Sequence, residues 1–182
     1  MNNEFQFYLE QILNTWQEKQ RKGALKIIKK YGCPQEATAS RLIWYNNGPW
    51  KRTIVYRDAV PHHFPTTHPD FLEQTVNYRT PLDAFDAIAH YDGSCYPDRT
   101  KGEVSAVCDK EEMNTLSLNL FHEIVTCQRT VEEARKFYTV TTANFLYHNV
   151  RSPYIDTLLF PQQFNTADPD VQYFPYDKNI PH

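Results

Sequence analysis

The sequence predicts an α+β protein. It should have two antiparallel β-hairpins and about five helices around one hydrophobic core, with an extended C-terminal tail. Two patterns carry this prediction: apolar residues recurring at helical spacing in several stretches, and period-two alternation flanking turn-forming residues in two others. A third observation is the order of these patterns: helix, hairpin, two helices, hairpin, two helices. The strand–helix alternation that a parallel doubly wound sheet requires is missing. A length of 182 residues suits one domain with its own core, and 41% apolar with 23% charged residues is a globular composition.

Residues 4–31 read as one helix, with Phe5, Leu9, Ile12 and Trp16 on one face and Gly32 followed by Cys33-Pro34 as the stop. Its second half carries Lys19, Arg21, Lys22, Lys26, Lys29 and Lys30, which read as a solvated face. Residues 41–45 and 50–58 read as a hairpin across Asn46-Asn47-Gly48-Pro49, since Asn and Gly accept the positive φ of tight turns. Residues 61–74 then form a connecting loop stiffened by Pro61, Pro65 and Pro69. Pro69 suits the first turn of a short helix over 69–77. Thr80-Pro81 with Asp83 reads as the capped start of another helix, with Leu82, Phe85 and Ile88 facing the core.

Residues 94–108 read as the second hairpin, turning near residues 98–102, with Val104, Ala106 and Cys108 on one face. Pro97 weakens its first arm. Asp109 with Glu112 predicts a cap for the most apolar helix, built on Met113, Leu116, Leu120, Phe121 and Ile124. Thr130 with Glu133 predicts a capping box for a last helix through His148, with Ala134, Phe137, Tyr138, Thr141 and Phe145 inward. Residues 1–148 are thus expected to form the domain. Residues 149–182, with five prolines and six aromatics, are expected to run extended on that domain or on a partner.

The formal charge of −3 argues against a general nucleic-acid binder. No apolar run reaches the roughly 18 residues of a membrane span. The first residues lack a basic head followed by an apolar stretch, so a cytoplasmic setting with reduced thiols is expected for Cys33, Cys95, Cys108 and Cys127. None of these lies in a C-x-x-C pair, which disfavours a zinc site built on cysteine. Gly-rich phosphate loops, G-x-S-x-G and the dinucleotide fingerprint are all absent.

Chemistry concentrates in residues 61–74, which hold three of the seven histidines and two acidic residues. His62, His63, His68 and Asp70 are the candidate metal ligands, because neutral imidazoles and carboxylates are what a divalent ion takes. His62, His63, Glu73 and His122 are the candidate acid–base groups. The bland alternative is that these histidines brace the loop through hydrogen bonds to its backbone. Trp44, Trp50, Arg99, Glu103 and Asn119 are candidate binding residues. Arg99 with Glu103 reads more simply as a cross-strand ion pair, and Cys108 as a buried inert thiol. Glu112, Thr115, Asn119 and His122 share one helix stripe, which is either a solvent face or the far wall of a site completed by the histidine loop.

The run from Arg41-Leu-Ile-Trp-Tyr-Asn-Asn-Gly-Pro-Trp-Lys-Arg-Thr53 through Leu72-Glu-Gln74 to Gly102-Glu-Val-Ser-Ala-Val-Cys-Asp-Lys-Glu-Glu-Met-Asn114 resembles a family of uncharacterised bacterial proteins, chiefly cyanobacterial. The resemblance covers roughly residues 34–140, leaves out the tail, and implies a bacterial cytosolic setting without assigning an activity, cofactor or fold. The leading expectation is a soluble, non-enzymatic accessory or regulatory protein acting through a protein partner or self-association, with no cofactor. One alternative is a small enzyme using a divalent metal on the His62/His63/His68 loop. The other is a small-ligand-binding module.

Overall fold

The computed structural model describes residues 3–174. The fold is α+β, but its strands form one six-stranded antiparallel sheet rather than two separate hairpins. The elements are α1 (Asn3–Asn14), α2 (Glu18–Tyr31), β1 (Glu36–Ala37), β2 (Arg41–Asn47), β3 (Trp50–His62), β4 (His68–Asn77), α3 (Phe85–Tyr91), β5 (Cys95–Asp98), β6 (Glu103–Cys108), α4 (Glu111–Val125), α5 (Val131–His148) and α6 (Pro153–Asp156). Strand order across the sheet is β1-β2-β3-β4-β6-β5.

The expected first helix is two. Thr15 breaks it, its backbone N–H and its hydroxyl both donating to the Ile12 carbonyl at 3.0 and 2.7 Å, and Gln17 is extended with ψ 154°. The bend lets Leu9, Ile12, Leu13 and Trp16 of the first segment and Ala24 and Ile27 of the second reach one core with Leu42, Trp44, Val55, Phe71 and Leu72 of the sheet. Gly23 is required by this packing, since a Cβ there would lie 2.4 Å from the Phe71 ring.

The helix expected over 69–77 is instead the central strand β4. Leu72, Gln74 and Val76 alternate with Glu73, Thr75 and Asn77, and the strand pairs with β3 on one side and β6 on the other. Pro69 sits one residue inside its start, a position where a missing N–H is tolerated. The proline-rich connector is therefore the end of a β3–β4 hairpin. Its strands pair as far as His62↔His68 beyond a bulge between Val55 and Val60.

The Thr80 cap does not form. A 3-10 turn over Leu82–Ala84 leads into α3, leaving Leu82 64% exposed while Ile88 is buried. The α4 cap is Lys110 rather than Asp109, whose carboxylate takes the Lys110 ammonium at 2.5 Å. The remaining helix expectations match. Met113, Leu116, Leu120 and Phe121 of α4 are buried in a second core with Val104, Ala106 and Cys108 of β6, and Thr130 and Glu133 form a reciprocal capping box on α5.

The tail packs back on this second core. Ile155 and Phe160 are buried in it, and Thr166 donates its hydroxyl to the Gly102 carbonyl at 2.6 Å. Beyond that point Val171, Tyr173 and Phe174 are exposed, and the expected extended stretch from residue 175 onward lies outside the described residues. Among the described residues no helix is long and apolar enough to cross a membrane.

Candidate functional site: a histidine–carboxylate cluster

The β3–β4 pairing builds the candidate site. In an antiparallel ladder the residue opposite and the residue two further on share a face, so the register His62↔His68 also brings Asp70 to the same place. One ligand atom from each of His62, His68 and Asp70 lies within 4.8 Å of the others. His62 Nδ1 stands 3.2 Å from Asp70 Oδ2, and His68 Nε2 stands 3.1 Å from Asp70 Oδ1. These spacings match the edge of about 3.3 Å in a tetrahedron of metal bonds ~2.0–2.1 Å long.

His68 and Asp70 are each held from behind by an oxygen, and a carboxylate stands behind His62. The His68 Nδ1–H donates to the Thr66 carbonyl at 2.7 Å, which turns Nε2 inward. His62 Nε2 faces Asp92 Oδ1 at 3.6 Å. Asp70 Oδ2 accepts from the Ser94 hydroxyl, and the Ser94 backbone N–H donates to Asp92 Oδ1 at 2.9 Å. The inward atoms, His62 Nδ1, His68 Nε2 and Asp70 Oδ1, are buried and without a hydrogen-bond partner. They are close to one another, yet off the line that a hydrogen bond needs. Three ligand-type atoms converging without mutual hydrogen bonds is an arrangement a cation accepts once His68 gives up its Nε2 proton.

Electrostatics around the cluster are strongly perturbed. Burial disfavours the charged form of His68, but contact with the Asp70 carboxylate and with Cys108 outweighs it and pushes the imidazole up to about 11. Burial raises the Asp92 carboxyl above its ordinary range. It also raises the Cys108 thiol, which His68 draws partly back. A neutral buried thiol beside His68 fits the reading of Cys108 as inert.

The other sequence candidates fall elsewhere. His63 is exposed at the hairpin tip, with Nδ1 3.1 Å from the Thr67 hydroxyl, and does not join the cluster. Trp44 and Trp50 are core residues, their indole N–H groups donating to Gly32 O at 2.9 Å and Glu111 Oε2 at 3.3 Å. The helix stripe does not face the histidines. Asn119 donates to Tyr154 O and Thr157 O at 2.9 and 2.8 Å, and accepts from the Leu159 N–H at 2.7 Å. His122 is stacked on Phe160 and held by Tyr78 at 2.8 Å, and burial lowers its pKa.

Arg99 and Glu103 are not partners. Arg99 pairs with Asp168 and Asp170 of the tail, whereas Glu103 takes Lys51 at 2.6 Å and Arg52 at 3.1 Å. Glu73 is buried on β4, where it accepts from the Tyr56 hydroxyl at 2.6 Å and from Ser105 at 3.2 Å. Asp92 and Ser94 escaped sequence reasoning because they lie more than twenty residues past Asp70 and reach it only through the fold. The signal that would have placed His62, His68 and Asp70 together was a strand reading of residues 68–77, with the prolines bracketing a hairpin tip.

The fold and site together define an α+β protein with a His–His–carboxylate cluster at the end of a β-hairpin. Comparison with family models, curated proteins and solved structures gives no match for this chain.

Proposed function

We propose that the protein is a small metal-dependent enzyme whose divalent ion is held by His62, His68 and Asp70. The observation that carries this reading is the convergence of three buried ligand atoms, each lacking a hydrogen-bond partner, with Thr66 bracing His68 and Ser94 bracing Asp70. Two imidazoles and one carboxylate suit a borderline transition ion such as zinc, and three protein ligands leave a coordination position open. Bound there, such an ion would supply Lewis acidity to the site.

The chain's own groups orient the site. Thr66 selects the His68 tautomer, Ser94 fixes the Asp70 carboxylate, and Asp92 stands behind His62 as an outer carboxylate. Before loading, His68 carries a proton against Asp70, and metal uptake must displace it. Affinity therefore rises with pH. Titration calorimetry in two buffers of different ionisation heat counts the released proton.

The test is metal content after loading with zinc and desalting, paired with thermal unfolding. Stoichiometric zinc should be retained, and a chelator should lower the melting temperature of the loaded protein. His68→Ala and Asp70→Asn should lose the ion, while His63→Ala should keep it. A folded wild-type chain that leaves the column without zinc would sink the proposal.

A further inference from the structure

On the side of the sheet away from α2 and α4 lies an open-mouthed cavity of about 370 Å³, with Tyr56 and Asp58 from β3, Asp70 and Glu73 from β4, Ser94 from the α3–β5 connection and Tyr96 from β5 among its walls. The volume falls in the range of ~300–1,000 Å³ usual for small-molecule sites. Three of these residues are carboxylates, and among the described residues no lysine, arginine or histidine lines the cavity. Glu73 is the unusual one. It is only 8% exposed, yet both of its hydrogen bonds come from neutral hydroxyls, those of Tyr56 and Ser105.

Among the described residues no lysine or arginine pairs with Glu73, while Arg57 pairs with Asp58 of the cavity wall. Arg52 donates to Glu103 and Thr75, and Arg41 lies over the Tyr56 ring at 5.8 Å. Burial and the Glu73 carboxylate hold both phenols above their ordinary range, Tyr96 at about 12, so they remain O–H donors and add no charge. A carboxylate has roughly four acceptor positions, so Glu73 keeps capacity for a further, charged donor. Tyr96, also in the cavity wall, is 44% exposed. A buried carboxyl group that takes only hydroxyl donors, beside the exposed Tyr96 ring, is the chemistry that selects an organic cation.

We propose that this cavity binds a small organic ammonium ion, its charged head against the Glu73 carboxylate and its body against Tyr96. Asp70 and Ser94 line both this cavity and the histidine cluster, so a ligand seated here lies beside the proposed metal. Binding itself does not rest on the metal reading, and the test is arranged to keep the two apart.

The probe is n-butylammonium chloride, with n-butanol as its neutral counterpart. Each is titrated into the full chain in the presence of a chelator and followed by amide chemical-shift changes. Butylammonium should saturate with shifts centred on Tyr56, Glu73 and Tyr96, at an affinity at least ~tenfold above butanol. Glu73→Gln should abolish that preference. Should this variant fail to fold, Tyr96→Leu decides, because its exposed ring is removable: affinity for butylammonium should fall about three- to fivefold. Equal affinities for the two probes, or an unchanged affinity in a folded Glu73→Gln or Tyr96→Leu chain, overturns the proposal. Because a chelator is present throughout, such a failure says nothing against zinc binding by His68 and Asp70.

Discussion

Asn119 shows how much one buried side chain can organise. Its amide group is only 2% exposed and answers three backbone groups of the returning tail: the carbonyls of Tyr154 and Thr157 and the N–H of Leu159. Removing it leaves those groups buried without partners, and each orphaned group costs on the order of 1–3 kcal/mol. Asn119→Ala should therefore lower unfolding free energy by about 2–4 kcal/mol, read from denaturant midpoints at constant slope. Asn119→Asp should be no better, because a carboxylate cannot donate to two carbonyls. Glu103 makes a different residue-scale point. Burial opposes its charge, but Lys51 and Arg52 overcome this and hold its carboxyl below the ordinary 4.5. A depressed folded pKa contributes stability above the ordinary value and loses it as pH falls through the folded one. The melting-temperature gap between wild type and Glu103→Gln should therefore be widest near neutral pH and close below 4.5, as measured by thermal scans across that range.

At the level of elements, what was legible depended on whether local pattern and tertiary demand agreed. α4 and α5 were legible because apolar spacing and the Thr130–Glu133 box specify them locally. The β5–β6 hairpin was legible from the Val104, Ala106, Cys108 alternation. β4 was not. Its Pro-Asp start imitates a helix N-terminus, and its centre alternates Leu72, Gln74 and Val76, a pattern in which buried Gln74 hides the strand signal. Gln74 is tolerated inside because its amide N–H donates to Glu111 and its carbonyl accepts from Asn114, partners that exist only once α4 docks. The candidate site suffered from the same misreading. Its three residue types were visible in the sequence, but a loop followed by a helix would not place His62 opposite His68. Only the strand register does.

Across the whole molecule, residues 166–170 tie the tail to the turn between β5 and β6. Gly102 has φ +62°, and a Cβ there would stand 2.1 Å from the Thr166 carbonyl oxygen, so the tail's backbone is packed directly on a residue that has no side chain. Around this contact Thr166 donates to Gly102 O, the Asp168 N–H donates to Thr100 O, and Arg99 holds Asp168 and Asp170. Gly102→Ala attacks both features at once. The left-handed backbone costs a non-glycine residue about 1–2 kcal/mol, and the methyl group cannot share its space with Thr166. Relief by unfolding the sheet would expose the core of Val104, Ala106, Leu116 and Leu120, whereas relief by lifting the tail exposes far less. The tail should therefore give way first. Limited proteolysis should cut Gly102→Ala between residues 161 and 170 faster than wild type, while slow amide exchange in α4 stays unchanged. Loss of α4 protection at the same time would show instead that tail and core open as one unit.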